Sequence, residues 1–404
     1  MQKTPTPETP TRNMPTRDMR TRNMPTRNMP MHEPLALVNL AALEHNITRI
    51  RSYITPDTDI LVAVKADGYG HGAVQISERL ADIGVNWLGV ATKGEAMELR
   101  QAGISGHILI FSPIYESDAP VPNEPALDAI IEHDIEVTVV DEHSAQVISH
   151  AAARVGKKAR VHLKVDTGMG RLGFLPADAI KVAHAVDSDK NLELTGLWTH
   201  FSCADDEDPT YTKEQLAHYH DMLERLEHHS IAIPIKHTAN SSAVFAFPES
   251  HFDMVRPGIA AYGYHSSRYI ESLEPNLHPV MTVQAPVTFI KPFAKGRKIS
   301  YAAMWQAPED THIATVRLGY ADGYPRLLSN KGQVRIGEHI HPIRGRVCMD
   351  QFMVDIGDSD VHVGDAVTVF GEGLSAEDVA EQYGSISYDL LVSVGKRVAR
   401  VYEG

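Results

Sequence analysis

Three features are scarce in this sequence: cysteine, excess positive charge and long apolar runs. Only Cys203 and Cys348 occur among the 404 residues, so we expect no disulfide framework and a reducing, cytoplasmic location. The formal net charge of −14 argues against nucleic acid or an anionic membrane surface as the main partner. No apolar run approaches the roughly 20 residues that cross a bilayer. The hydrophobic content of 43% is ample for a sizeable globular core.

The first 34 residues differ from the rest of the chain. From Thr11 to Pro30 a five-residue unit occurs four times in succession, TRNMPTRDMRTRNMPTRNMP. Proline at nearly every fifth position prevents a continuous helix, and few of these residues could join a core. We therefore predict that residues 1–34 form a disordered, low-complexity tail and not a secretion or import signal.

Residues 35–272 alternate short apolar runs with amphipathic stretches such as GAVQISERLADIG. Continuous apolar strands between such helices are typical of a parallel sheet that is covered on both faces. Eight repeats favour a TIM-type (β/α)8 barrel, while periodicity alone leaves an open doubly wound sheet as the alternative. The predicted strands span residues 60–64, 86–90, 107–111, 137–140, 160–165, 194–199 and 233–238 and a segment near 254–263.

Residues 273–404 have a different pattern. Segments such as VMTVQAPVTFI, THIATVRLGY and DAVTVFG are short strands that Gly, Pro and Asp turns separate, with almost no helix between them. This pattern predicts a second, C-terminal domain that is mostly β. The chain length also suggests two domains.

Polar residues follow several of the predicted barrel strands. Lys65 follows the first strand, Arg171 the fifth, His200 closes the sixth, and Arg256 lies at the eighth. Taken alone, each has an ordinary explanation, since a lysine at a strand end is usually solvated and a histidine there is usually a satisfied core residue. The C-terminal strand ends of a β/α barrel form its active-site face, so these four side chains would converge at one mouth.

The stretch HTANSS, residues 237–242, has two interpretations. Asn240 and Ser241 precede a helical segment, so they read as an N-cap signal. The same geometry can bind phosphate, because free backbone amides and the helix dipole both point at an anion. For Tyr301 and Tyr388, in the C-terminal region, packing is the default interpretation.

Seven motifs, met in order along the chain, make it resemble the alanine racemases. That family binds pyridoxal phosphate (PLP) and combines an N-terminal β/α barrel with a C-terminal β domain. The resemblance covers roughly residues 35–403 and implies a racemase that supplies D-alanine for peptidoglycan. The motifs are AVKADGYGHG, KVDTGMGRLGF, MVRPGIAAYG, ISYAAMW, GYADGYPR, GRVCMDQFMVD and ISYDLL.

The resemblance also implies which residues hold the cofactor. Lys65 would bind PLP covalently, Arg256 would face the pyridine nitrogen, and His237 would pack against the ring. Arg171 would approach the phenolic oxygen of the ring and the substrate. The remaining implied cofactor residues, most of them around the phosphate, are Tyr69, Asn240, Ser241, Gly258, Ile259 and Tyr388.

Racemisation requires a base on each face of the substrate Cα. The resemblance implies Lys65 for one face and Tyr301, from a second subunit, for the other. His200 would bridge Arg256 and Tyr301, and the two positive groups would favour the phenolate. Met349 of the second subunit would offer its backbone amide to the substrate carboxylate, so we expect a homodimer with two composite sites. The implied access channel consists of Asp205, Tyr320, Arg326, Arg346 and Asp350.

Arg256 distinguishes racemisation from other reactions that PLP enzymes catalyse. Most PLP enzymes place a carboxylate at the pyridine nitrogen, whereas a guanidinium is essentially never deprotonated and leaves the ring a weaker electron sink. That choice suits a racemase better than a decarboxylase. Two alternatives stay open: a racemase that prefers serine or another small amino acid, and a non-catalytic PLP-binding protein.

Three positions call for comparison with the family pattern. Asp67 and Gly68 replace the asparagine and alanine that usually follow the lysine, and Asp67 could raise the pKa of Lys65 if the two are close. Lys164, seven residues before Arg171, stands where family members often carry a carbamylated lysine.

Overall fold

Residues 32–114 and 125–404 are described in the computed structural model. The predicted tail of residues 1–34 lies outside these ranges except for its last three residues. The described chain opens with strand β1 (Leu35–Asn39) and helix α1 (Leu40–Arg51). No helix within the described ranges is long and apolar enough to cross a membrane.

Eight parallel strands follow and form the predicted barrel, which rules out the doubly wound sheet. Hydrogen bonds from the backbone of Asp253 to Lys236 and of Arg256 to Ala239 join the two ends of the sheet, where the last two strands meet. The strands are β2 (Asp59–Ala63), β3 (Trp87–Val90), β4 (His107–Ile110), β5 (Glu136–Val139), β6 (Ala159–Lys164), β7 (Leu192–Trp198), β8 (Ile235–His237) and β9 (Met254–Val255), paired in the order β8-β7-β6-β5-β4-β3-β2-β9.

Helices cover the outside of the barrel because each carries one apolar face. In α3 the buried residues Ala73, Ile76 and Leu80 recur at helical spacing and pack on the strands. The helical segments of this region are α2 (Lys65–Tyr69), α3 (Ala73–Asp82), α4 (Lys93–Gln101), α5 (Pro125–Glu132), α6 (Glu142–Val155), α7 (Ala179–Asp187), α8 (Thr210–His228), α9 (Ser241–Ala246) and α10 (Arg268–Leu273), with short 3-10 turns at Pro176–Asp178 and Pro248–Ser250.

The barrel strands are buried on both faces, as their unbroken apolar pattern predicts. Ile60 and Val62 of β2 contribute to the core beneath the helices, whereas Leu61 points into the barrel with Trp87 and Met254. Successive side chains of a strand therefore point alternately to the helices and into the barrel.

The C-terminal region folds as a closed antiparallel sheet. The 13-residue strand β10 pairs with β17 along its first part and with β13 along its second, across an irregularity between Val287 and Phe289. These pairings close a ring of β10, β13, β16, β15, β14 and β17. The elements are β10 (Met281–Phe293), β11 (Lys298–Ile299), β12 (Trp305–Gln306), β13 (Thr311–Val316), β14 (Gln333–Ile336), β15 (His339–Arg344), β16 (Phe352–Asp355), β17 (Ala366–Phe370), α11 (Ala376–Glu381), α12 (Ser387–Ser393) and β18 (Ala399–Glu403), with 3-10 turns at Tyr301–Ala303, Tyr320–Asp322 and Arg326–Leu328.

Strand β1 belongs to this second sheet, although its residues fall within the predicted barrel domain, 35–272. It pairs antiparallel with β10 and parallel with β18. A five-residue apolar strand before a helix looks the same in either sheet, because its partners lie more than 240 residues away. The domain limits drawn from the sequence, 35–272 and 273–404, otherwise stay a prediction.

Candidate active site

Lys65 begins a left-handed turn at the carboxyl end of β2. The φ angles of Ala66, Asp67 and Tyr69 are 53°, 55° and 53°, and Gly68 between them has φ 60°. Side chains other than glycine adopt this region only at a cost, so the turn needs support from its surroundings. Such strain concentrates at functional sites, and this turn directly follows Lys65.

Two carboxylates and one guanidinium hold the turn in place. Glu95 accepts a hydrogen bond from the Ala66 amide at 2.8 Å, and Asp67 accepts one from the Ala73 amide at 2.9 Å. Arg400, from β18, donates to the carbonyl of Gly70 at 3.0 Å. The C-terminal sheet therefore helps to fix the loop that carries Lys65.

The acidic group that acts on Lys65 is Glu95, which is not one of the predicted site residues. Burial and the charge of Arg171 lower the pKa of Lys65, and Glu95 opposes them. The Asp67 carboxylate accepts from the Ala73 amide and is not among the groups that shift the pKa of Lys65, so Glu95 takes the place that we expected for Asp67. The sequence does contain a pattern that marks Glu95. Thr92 and Glu95 form the T-x-x-E capping box at the start of α4.

Lys65 opens into a cavity of 520 Å³ at the mouth of the barrel. The cavity brings together most of the residues that the resemblance implied for cofactor and catalysis. Those that line it are Lys65, Tyr69, Arg171, His200, Asn240, Ser241, Arg256, Gly258, Ile259 and Tyr388. His237 does not line the cavity but lies buried behind Arg256. The predicted convergence of polar strand ends is therefore present.

One end of the cavity is built from hydrogen-bonding groups around α9. Ser241 Oγ accepts from the amides of Gly258 at 2.8 Å and Ala260 at 3.3 Å. Burial raises the pKa of Tyr69 to about 12 and also raises that of Tyr388, so both phenols stay protonated and can donate. A Cβ at Gly258 would lie 2.5 Å from Tyr69 Oη, which explains the glycine there.

Arg256 lies buried in the wall of the cavity, and three of its contacts are fixed. It donates to His237 Nδ1 at 3.3 Å and to the carbonyls of Thr199 at 2.6 Å and Thr238 at 3.0 Å. The centre of the Trp198 ring lies 5.1 Å from the guanidinium carbon, and Trp198 is not one of the predicted site residues. These contacts leave part of the guanidinium free to face the cavity.

Positive charge dominates the cavity and changes the expected role of His200. Burial, followed by the charges of Arg256 and Arg171, lowers the pKa of His200 well below its ordinary value. His200 is therefore neutral near pH 7, and the positive charge expected of it rests with Arg256. Burial also lowers the pKa of Lys164 to about 7. The site as a whole suits an anionic ligand.

Most of the remaining predicted site residues lie on the β domain and do not line this cavity. Tyr301 is 71% exposed and Met349 is 53% exposed. The backbone amides of Tyr320 and Ala321 donate to the carbonyls of Cys348 and Met349, which joins these two segments. Ser300, next to Tyr301, donates through Oγ to the carbonyl of Arg346 at 3.2 Å and joins the third. We call Tyr301, Tyr320, Arg346, Met349 and Asp350 the β-domain cluster.

Two predicted channel residues lie elsewhere. Arg326 is exposed in a 3-10 turn of the β domain. Asp205 is half-buried, its carbonyl accepts from Ser267 at 2.7 Å, and its charge adds to the effect of burial on the pKa of Tyr388. Asp205 therefore lies near the cavity of its own chain.

Three neutral histidines, His71, His200 and His237, should make stability depend on pH. Burial lowers the pKa of His71 to about 4 and that of His200 and His237 well below 6.5. The unfolded chain binds protons on these groups below pH 6.5 and the folded chain does not, so stability is lost as the pH falls from 6.5. We expect a loss of about 1.4 kcal/mol per histidine and pH unit.

Urea unfolding at pH 7.5 and 5.5 measures this effect. Exchange of the exposed His228 for glutamine serves as the control and should leave the difference unchanged. An equal free energy of unfolding at the two pH values would contradict the assignment of the three histidines as neutral.

Fold and site together define a class: a β/α-barrel enzyme with an appended β domain and a lysine in an electropositive mouth. Comparison with known proteins gives the family. Residues 38–266 match the family described as alanine racemase, N-terminal domain, and residues 280–402 match alanine racemase, C-terminal domain. The chain therefore belongs to the alanine racemase family.

Individual relatives agree over nearly the whole length. The chain is 42% identical over 381 residues to an alanine racemase of Desulforamulus reducens, covering 93% of this chain and 100% of that one. A crystal structure of alanine racemase from a D-cycloserine-producing Streptomyces lavendulae superposes with a TM-score of 0.86 at 36% identity, covering 92% and 97%. One from Bacillus anthracis with bound L-Ala-P has a TM-score of 0.83 at 32% identity, covering 93% and 96%.

Proposed function

We propose that this protein interconverts L-alanine and D-alanine with PLP as its cofactor. The observation that carries the proposal is Lys65, which has a lowered pKa and lines the same electropositive cavity as Arg256 and Arg171. The named activity of the relatives and the L-Ala-P in the Bacillus anthracis structure support alanine as the substrate. We further propose that the enzyme acts in the cytoplasm and that its D-alanine serves peptidoglycan synthesis.

The donor set fits PLP. Ser241, Tyr69 and Tyr388 supply hydroxyl donors at one end of the cavity, next to the close backbone approach at Gly258, and these groups would hold the phosphate. Lys65 would attach the cofactor, and Arg256 would face its ring nitrogen. When bound, PLP supplies the electron sink for negative charge at the substrate Cα.

The residues of the chain then account for proton transfer. Lys65 Nζ can accept and return a proton on one face of the substrate, because burial and Arg171 favour its neutral form. Arg256 can only donate, so it does not compete for that proton. Arg171 at the mouth would attract the substrate carboxylate. These roles assign positioning and proton transfer to separate groups.

The second base requires a second subunit in this proposal. Tyr301 and Met349 are absent from the cavity lining of their own chain and exposed on the β-domain cluster. A two-fold dimer would place the cluster of each subunit at the cavity of the other. Tyr301 would then hold or release the proton on the face opposite Lys65, beside the positive charge of Arg256.

Serine is the alternative substrate, because its hydroxymethyl group is only slightly larger than the methyl of alanine. We expect kcat/KM for L-alanine to exceed that for L-serine by about 10-fold or more, since the bulky phenol of Tyr388 limits the space. The measurement is formation of each D-amino acid by the purified, PLP-loaded protein. Faster formation of D-serine would change the assigned substrate, and no racemisation of either would overturn the proposed function.

A further inference from the structure

A chain of buried polar side chains crosses the barrel interior behind the cavity. Glu136 on β5 bonds His162 Nε2 on β6 at 3.0 Å, and His162 Nδ1 bonds His237 Nε2 on β8 at 2.9 Å. His237 Nδ1 then meets Arg256 at 3.3 Å. Glu136, His162 and His237 have no exposed surface, and Arg256 is 5% exposed. The chain connects the cavity to a carboxylate on the opposite side of the barrel.

The two ends of this chain allow only one direction of donation. Arg256 can only donate, so His237 Nδ1 must be unprotonated and its Nε2 must carry the hydrogen. His237 Nε2 then donates to His162 Nδ1, which leaves the His162 hydrogen on Nε2, facing Glu136. An ionised carboxylate can only accept hydrogen bonds, so Glu136 accepts from His162 Nε2. Every donor in the chain then meets an acceptor. Each histidine is neutral and in one defined tautomer.

The barrel is shaped to hold this arrangement. A Cβ at Gly196 would lie 2.4 Å from His162 Nδ1, so glycine makes room for the ring. The half-exposed His107 binds the other oxygen of Glu136 at 2.8 Å. Burial alone would raise the pKa of Glu136, but its hydrogen bonds to His107 and His162 outweigh burial and lower it to about 2. Glu136 is therefore an anion at every pH at which the enzyme would work.

We propose that Glu136 is a positioning residue for the active site, because its carboxylate sets the tautomers of His162 and His237 and thereby orients Arg256. The inference rests on the proposed function and adds a residue to it. Without an acceptor at position 136, the hydrogen of His162 Nε2 would be buried and unpaired. The ring relieves that cost by moving its hydrogen to Nδ1, which then faces His237.

The change would pass along the chain to the cavity. His237 would accept at Nε2 and carry its hydrogen on Nδ1, where it opposes the N–H of Arg256. Two donors cannot share that contact, so the guanidinium would shift away from its place in the cavity wall. Displacements of about 1 Å in a positioning group can reduce turnover by about 100-fold.

Two variants of Glu136 separate the acceptor from its charge. Glu136→Leu removes the acceptor, and we expect kcat to fall about 10- to 100-fold with a much smaller change in KM, since Glu136 does not touch the substrate. Glu136→Gln keeps an oxygen that can accept from His162, and we expect its kcat to stay near that of the wild type. Glu193→Leu, an exposed glutamate at the start of β7, is the matched control and should have wild-type kcat.

Neutron diffraction from crystals of the wild-type holoenzyme gives a readout that does not depend on activity. We expect deuterium on Nε2 of His162 and His237 and none on their Nδ1 atoms. The opposite pattern on either ring would overturn the proposal, even if Glu136→Leu fails to fold.

The outcomes also separate this proposal from the proposed function. A wild-type protein that does not racemise alanine overturns the function, whereas the tautomers remain measurable. Active wild type together with folded Glu136→Leu of unchanged kcat overturns the positioning role alone. Equal losses of kcat in Glu136→Leu and Glu136→Gln would show that the charge of Glu136 acts and not its ability to accept, and would overturn it as well.

Discussion

Lys65→Ala should reduce alanine racemisation by about 10³-fold or more, because the variant loses both the attachment point of the cofactor and one of the two bases. The purified variant should also lose the visible absorbance that PLP gains on binding a lysine. The fold should persist, since the Lys65 side chain is only partly buried and its removal relieves repulsion by Arg171.

Several controls identify the lost group as the amine of Lys65. Lys213→Ala, on the exposed face of α8, should have wild-type turnover and absorbance. Added methylamine should restore part of the activity of Lys65→Ala, because it supplies the missing amine to a preformed cavity. Retention of full racemase activity by Lys65→Ala would falsify the central proposal.

Tyr301→Phe should lower racemisation by about 10²- to 10⁴-fold, because a phenyl ring cannot carry the second proton. The two enantiomers have equal free energies, so kcat/KM must fall equally in both directions. Exchange at Cα is the informative measurement. In D2O we expect the variant to introduce deuterium into one enantiomer only, the one whose Cα hydrogen faces Lys65. Exchange into both enantiomers at wild-type rates would show that Tyr301 is not a base.

Pairing the two defective chains tests whether Tyr301 acts across a dimer. Two-tag purification isolates heterodimers with Lys65→Ala in one subunit and Tyr301→Phe in the other. If each site combines Lys65 of one subunit with Tyr301 of its partner, one of the two sites is intact, and activity should reach about half of the wild type.

The opposite arrangement predicts a different result. If Lys65 and Tyr301 of the same chain served one site, each site of the heterodimer would carry one defect, and activity would stay near that of the separate variants. The matched control is a heterodimer that carries both substitutions in one subunit. It should be nearly inactive when the sites are composite and half active when they are not.

Much of the barrel could be predicted from the sequence because its strands are short, apolar and regularly spaced. The predicted strand at 60–64 is shifted by one residue from β2, and the one at 107–111 is one residue longer than β4. Convergence of Lys65, Arg171 and Arg256 followed from a rule about parallel barrels, which is independent of side-chain detail. In contrast, nothing local distinguished β1 from a barrel strand, since its partners in β10 and β18 are distant in sequence.

The charge states within the site were not predictable in the same way. His200 was expected to be positive, yet burial beside Arg256 keeps it neutral. Asp67 is adjacent to Lys65 in sequence, but Glu95, 30 residues away, is the acid that acts on it. A pKa depends on distances and burial across several elements, and these are properties of the packed barrel.

The sequence by itself determined the fold class, the family and most residues of the cavity, because apolar periodicity and sequence motifs involve residues that are close together in the chain. Only the tertiary structure decided the left-handed turn at Lys65, the place of β1, and the buried connection from Glu136 to Arg256. That connection joins three strands whose polar residues are 26 and 75 positions apart. Closing a barrel is what brings such residues within hydrogen-bonding distance, and it also removes the water that would otherwise satisfy them.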